Sequence, residues 1–450
     1  MFDPASISPV PDRHLDPSKV PVSDELKGLV EDAMGLLKSA EVRRRQRRPG
    51  SKRIHQQAVT SVICDLVHRE LRHPGGALMV PMAKSALAPK NRPAPFMTEA
   101  FAKTVRELSD PTLGIAELRT GHRSLEVAFR STLRAGTWLR SEIDRLGLGF
   151  HDIGRDTELQ GDPLILKSIK EAGKSRVLPL PPTQEIEGLR VEMRAINAWI
   201  AQASIEWTGV EEHVDPGDRY LRRIFNNGST ALGGRMFHGF WQTLGKASRL
   251  EHLLINGREV ASLDFSNMGV RLAYAAVGAP VPEGDLYLLP GIAGSREGVK
   301  CVLNALLCSD QLPTRYPQKT RAYFHRRLKF NELFDAICRR HQPLIPMFGT
   351  AQSLRQQNVE SSIIVRALLV LKDMGIVALP VHDCLIAARE NVGICKEVLE
   401  ASFFHVTGVE GRVEVEERKE EGQESSRYIK VGGTPQSSIG KLAVPLKKGA

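Results

Sequence analysis

Two apolar, strand-like segments of this chain each carry an aspartate to an end. Asp264 closes REVASLDF (258–265), and GIVALPVHDCLIAA (375–388) consists of two apolar strands flanking His382-Asp383. The second segment reads as a hairpin with Asp383 at its tip. Adjacent strands of one sheet would bring these two carboxylates together although they lie far apart in the chain. Two carboxylates at bonding distance repel and raise one another's pKa, unless a divalent cation sits between them. Mg²⁺ takes one or two carboxylates and completes its shell with substrate phosphates and water. Two such ions, ~4 Å apart, can activate a hydroxyl and stabilise a leaving pyrophosphate in an in-line displacement. A single aspartate at a strand end is more often a cap or turn residue, so the weight rests on the pair.

Between the two aspartates, GSREGVKCVLNALL (294–307) places Arg296 and Lys300 four apart, on one helix face. Alone, such a pair is usually a solvated surface. Phosphoryl transfer needs charge neutralisation more than covalent help, and two cations one turn apart suit a triphosphate. NVESSIIVRALLVLKDMG (358–375) is a strong helix with Val359, Ile363, Ala367 and Val370 inward, and it feeds the hairpin.

In this order the three blocks resemble motifs A, B and C of the superfamily of family A DNA polymerases and single-subunit, phage-type RNA polymerases. The family's D-Y-S-x-x-E-L-R reads here Asp264-Phe265-Ser266-Asn267-Met268-Gly269-Val270-Arg271. Its R-x3-K is matched by Arg296 and Lys300, and its H-D after an apolar strand by His382 and Asp383. GGRMFHGFWQTL (233–244) resembles the Gly-Arg block that relatives set against primer and template, with Arg235 as its cation. Asp285 and Tyr287 resemble a D-x-Y element of packing and hinge residues.

The resemblance implies an α+β fold: a right-hand palm of antiparallel sheet with helices, helical fingers, and a mostly helical N-terminal part. It implies a template-directed nucleotide polymerase using two Mg²⁺ ions, with Mn²⁺ as a substitute, and acting on a nucleic acid template (DNA foremost) and nucleoside triphosphates. Asp264 and Asp383 would hold metal. Lys300 would be catalytic, and Arg296, Lys300, Gly269 and Cys308 would meet the nucleotide. Arg235, Arg271 and His382 would face nucleic acid.

Three departures touch the site. Gly269 replaces the Glu that excludes a 2′-hydroxyl in DNA-synthesising relatives. Cys308 falls where an aromatic closes the sugar pocket, and Cys384 replaces the acidic residue after H-D. Losing a side chain removes a steric penalty, so ribonucleotides are expected to be accepted. No proofreading exonuclease is expected, since Asp156-Thr157-Glu158 lies in a loop-like stretch. Two alternatives stay open: a conventional primer-dependent DNA polymerase, and a catalytically inactive nucleic-acid-binding palm protein.

A net charge of +10 favours a polyanionic partner. No apolar run approaches the ~18 residues that span a bilayer, and no secretory leader opens the chain, so no membrane partner is expected. Six cysteines without a C-x-x-C pair suit a reducing cytoplasm. Residues 1–53 read as a flexible basic arm with a helix around 23–40, whose run Arg43, Arg44, Arg45, Arg47, Arg48, Lys52 and Arg53 could grip phosphates. Residues 54–176 follow the order helix, helix, β-hairpin of a winged-helix module. That order would turn Arg106, Arg119, His122 and Arg123 toward DNA, with the hairpin bending at Thr120-Gly121. Residues 177–257 read as a linker and a thumb-like helical region, and 258–410 as palm with a fingers insertion near 285–350. A charged, largely disordered tail is expected over 411–450.

Overall fold

The computed structural model describes residues 12–41, 47–89, 92–123, 128–156, 158–209, 214–292, 295–418 and 428–431. The fold is mixed α+β, with antiparallel sheets and many helices. Among the described residues no helix is long and apolar enough to cross a membrane. The chain divides into two compact units: Met1–Ala203 with Gly209–Ile224 and Phe237–Leu244, and Ser204–Thr208 with Phe225–Met236 and Gly245–Ala450.

The first unit is built around the helix Pro49–Arg72, on which Ala58, Val62, Ile63 and Leu66 are wholly buried. Helices Asp24–Ala40 and Glu99–Leu108 pack on it, each started by a side-chain cap: Ser23 Oγ accepts from Leu26 N–H and Thr98 Oγ1 from Ala100 N–H. The fully buried carboxylate of Asp65 is satisfied by Asp16 N–H at 2.7 Å and Arg13 Nη1 at 3.0 Å.

Several expectations are corrected in this unit. Residues 12–41 are no arm: Leu15, Leu26, Leu29, Val30 and Leu37 are core residues. Arg47 is engaged internally, pairing with Glu41 at 2.8 Å and Glu107 at 3.1 Å, while Arg43, Arg44 and Arg45 lie outside the described residues. The hairpin does not bend at Thr120-Gly121. Ala116–Arg119 pairs with Thr132–Ala135, and the chain runs on into a second pair, His122–Arg123 with Ala128–Phe129. Gly121 N–H donates to Ser131 Oγ at 2.9 Å, which carries the ladder past the expected turn. Arg106 Nη1 donates to Ala102 carbonyl, and Arg119 is exposed. The side chains of His122 and Arg123 lie outside what is described.

Within 177–257, expected as a linker and a thumb-like helical region, the helix Gln184–Gln202 ends before Ile205–Trp207, which pairs with Leu253–Ile255. Beyond it, the regular structure of the stretch expected to be thumb-like and helical is more strand than helix.

In the second unit we label the strands β1 (Ile205–Trp207), β2 (Ser229–Phe237, of which 229–236 belong here), β3 (Leu253–Ile255), β4 (Arg258–Phe265), β5 (Ala378–Val381), β6 (Cys384–Ala388), β7 (Val413–Arg418) and β8 (Tyr428–Val431). The helices are α1 (Lys246–His252), α2 (Met268–Val277), α3 (Arg296–Cys308), α4 (Phe330–Arg340), α5 (Ser353–Asp373) and α6 (Val392–Thr407). All sheet strands run antiparallel to their neighbours in the order β1-β3-β4-β6-β5, and β7 pairs with β4 and β8.

Alternation along these strands sorts their side chains by face. Leu263 and Phe265 of β4, Leu385 of β6, and Val413 and Val415 of β7 share an apolar face, where Phe265 packs on Phe403 of α6 with ring centroids 5.2 Å apart. Ser262, Asp264, Cys384, Glu414 and Glu416 share the other. Residues 413–418 and 428–431, expected in a disordered tail, are therefore strands of the central sheet. A second apolar cluster joins α2, α3 and α4 through Val270, Tyr274, Leu303, Leu306, Leu333 and Ile337.

Candidate active site

The site begins with β4. Val260, Ala261 and Leu263 are fully buried, as befits a strand bonded on both sides, and they hold its end rigidly. Asp264 opposes Cys384, the residue after Asp383, so the register sets the two aspartates side by side at one end of the sheet. Val381 pairs with Cys384 across the tight turn His382-Asp383, with His382 left-handed at φ 58°. The hairpin expected from the sequence thus presents Asp383 at its tip.

Burial, and then the negative charge of Asp383, push Asp264 up to about 6. Lys246 and Lys300 oppose that rise, so their charges reach the same carboxylate. A half-buried carboxylate held against a second one is the electrostatic condition that a divalent cation relieves. Among the described residues no group of three or more His, Cys, Asp or Glu is arranged to hold a metal. Two carboxylates remain sufficient for Mg²⁺, whose other positions go to phosphate and water. Cys384 is no third ligand: burial pushes its thiol up to about 12, and its sulfur lies 3.0 Å from Ser262 Oγ.

On α3, Arg296, Lys300, Asn304 and Cys308 recur every four residues and form one stripe. Ser295 caps the helix, accepting from Glu297 N–H at 3.2 Å. Arg296 is held on three sides. It pairs closely with Asp285, donates from Nη2 to Asn267 Oδ1 at 3.3 Å, and lies 5.1 Å above the Tyr287 ring. Asp285 is anchored by Tyr287 N–H at 2.9 Å. Gly269 sits in the first turn of α2, and Cys308 is exposed at the end of α3. Arg271 donates from Nη1 to the Glu410 carbonyl at 2.9 Å.

Sequence reasoning missed Glu360. It lies on α5 with its side chain 8% exposed and accepts from Arg235 twice, Nε at 2.7 Å and Nη2 at 2.9 Å. Burial, together with the charges of Asp383 and Asp264, pushes Glu360 up to about 7 against the pull of Arg235. The same stretch of α5 fastens β2 twice more: Asn358 Nδ2 donates to Thr230 carbonyl at 2.8 Å, and Ser361 Oγ to Gly234 carbonyl. Arg235 is thus fixed beside Asp383, whose charge it feels, and burial and Arg235 together depress the pKa of His382. A lone glutamate in an amphipathic helix gives no sign of this role.

The second unit therefore gathers Asp264, Asp383, Glu360, Arg235, His382 and Lys300 into one coupled cluster. No protein-family model and no curated protein sequence matches the chain. Among solved structures it is similar to the POL domain of Pol1 from M. smegmatis, in complex with DNA primer-template and dNTP. The two are 13% identical over 81% of this chain and 71% of that one, with a TM-score of 0.26. A likeness of that size carries no weight for fold or chemistry.

Proposed function

We propose that this chain is a template-directed nucleotide polymerase, with the sheet of the second unit as its palm and α3 as its fingers helix. The observation that carries the proposal is the pairing of Asp264 with Cys384, which sets Asp383 beside Asp264 in a half-buried, mutually repelling pair. Asp264 and Asp383 would hold Mg²⁺ (two ions, or Mn²⁺ in their place). When bound, these ions neutralise the charge of phosphoryl transfer and activate the attacking hydroxyl.

The chain's own residues do the rest. Lys300 places a positive charge at the carboxylates, where the reacting phosphate would sit. Arg296, one turn back, would take the outer phosphates by exchanging its Asp285 partner for them. Arg235, braced by Glu360, presents the rest of its guanidinium to the nucleic acid strand. The half-buried setting strengthens each of these charges by excluding water.

Gly269 leaves space where a side chain would bar a 2′-hydroxyl, which supports acceptance of ribonucleotides, and the proposal includes no proofreading step. The test is extension of a primed DNA template by the purified chain, supplied with Mg²⁺ and either NTPs or dNTPs. Product that vanishes with EDTA is expected; no product from either nucleotide set refutes the polymerase. A dNTP preference of about a thousandfold or more would refute ribonucleotide acceptance alone. Gly269→Glu should then move the ratio of kcat/KM values toward dNTPs by about tenfold or more.

A further inference from the structure

The space beside Gly269 has polar walls. A Cβ built on Gly269 would lie 3.7 Å from Gln356 Oε1 and 4.0 Å from Asn304 Oδ1, ordinary contact distances with nothing nearer. Gln356 is oriented by a bond that admits one assignment: its Nε2 donates to the Gly269 carbonyl at 3.1 Å, and a carbonyl can only accept. Its oxygen is therefore turned into the space as an acceptor, and among the described residues no donor reaches it. Asn304, the other neighbour of that space, makes no hydrogen bond among the described residues and is exposed.

The position of these amides along α3 matters. Residues four apart on a helix are ~6 Å apart along its axis. A triphosphate running from Arg296 to Lys300, with its reacting phosphate at Asp264, therefore brings the next group of the substrate to Asn304. That next group is the sugar. Its edge would then lie between Asn304 and the Gln356 oxygen, over Gly269.

We propose that Gln356 is a sugar-selecting residue, whose side-chain oxygen accepts a hydrogen bond from the 2′-hydroxyl of an incoming ribonucleotide, with Asn304 bounding the same pocket. The site then favours ribonucleoside triphosphates actively and does more than tolerate them. A deoxynucleotide offers no donor at its 2′ position and forgoes the bond to the Gln356 oxygen, and sites built to bond a hydroxyl reject analogues lacking it. This inference rests on the polymerase reading.

The experiment uses the full wild-type chain with Mg²⁺ and a primed template, comparing single incorporation of ATP, dATP and 2′-deoxy-2′-fluoro-ATP. Fluorine is small and accepts, but cannot donate. With Gln356 as acceptor, kcat/KM for ATP exceeds that for both dATP and the fluoro analogue by about tenfold or more, one hydrogen bond's worth. If space alone matters, the fluoro analogue matches ATP, and the inference is overturned. Gln356→Met should lower kcat/KM for ATP by about tenfold while moving dATP less than about threefold. An unchanged ratio in that variant also overturns it. Should Gln356→Met fold poorly, the wild-type comparison of the three nucleotides still decides. A wild type that incorporates none of the three would instead count against the polymerase reading.

Discussion

Glu360 and Arg235 illustrate how a buried charge acquires a purpose. Glu360 is nearly sealed from water and stands near two other carboxylates, so only its two bonds to Arg235 make its charge tolerable. Removing one partner of such a pair leaves an uncompensated charge. Glu360→Ala is expected to destabilise the second unit by about 3 kcal/mol in urea unfolding and to weaken primer-template binding. Glu360→Gln, which keeps one acceptor for Arg235, should cost less than half of that. Equal stability of wild type and the Ala variant would contradict the assignment.

His341 makes a second argument at this scale. Its Nε2 donates to the Leu286 carbonyl at 2.9 Å, which obliges Nδ1 to accept from Tyr274 Oη at 3.0 Å. The ring is neutral and fully bonded, and it anchors the segment bearing Asp285, the residue that holds Arg296. Burial depresses His341 to about 4 from an ordinary 6.5. Its folded pKa is below its unfolded one, so its contribution is complete above pH 6.5 and is lost as pH falls from there toward 4. Unfolding free energies of wild type in urea should decline across that window by up to about 3 kcal/mol more than those of His341→Asn. Parallel declines would show that other groups govern acid unfolding.

Among the elements, the most legible were those whose local pattern and end residue agree. The apolar run into Asp264, the helix beginning at Arg296 and the hairpin around His382-Asp383 all stand where the sequence reading put them. The charge density of β7 masks a strand as a tail. Yet its first four residues, VEVE, alternate, Val413 and Val415 to the apolar face and Glu414 and Glu416 to the other, which is a strand signal. Arg47 looked like a free cation because its partners, Glu41 and Glu107, are assembled only by the tertiary fold. The partnership of Glu360 with Arg235 was illegible for the same reason. Asn304 was legible in principle, since it continues the spacing of Arg296 and Lys300. The stripe on α3 is itself testable: a double Arg296→Ala, Lys300→Ala variant should raise nucleotide KM at least about tenfold or abolish turnover, with template affinity retained. Unchanged KM and kcat would remove α3 from the site.

At the scale of the molecule, the chain divides its work. The first unit carries a well-packed helical core with short strands, and part of the basic balance in its N-terminal region is consumed by internal pairs such as Arg47 with Glu41 and Glu107. The second unit concentrates the coupled carboxylates and cations, and it supplies every residue of the proposed chemistry. A protein kept only for binding would gain nothing from a half-buried pair of repelling aspartates at the end of a central strand. The most direct measurement is Mg²⁺-dependent primer extension by wild type beside Asp264→Asn and Asp383→Asn, with folding checked by urea unfolding. The account predicts extension by wild type and a loss of about a thousandfold or more in each variant, at undiminished stability. Extension that survives either substitution, or that wild type never performs, would contradict it.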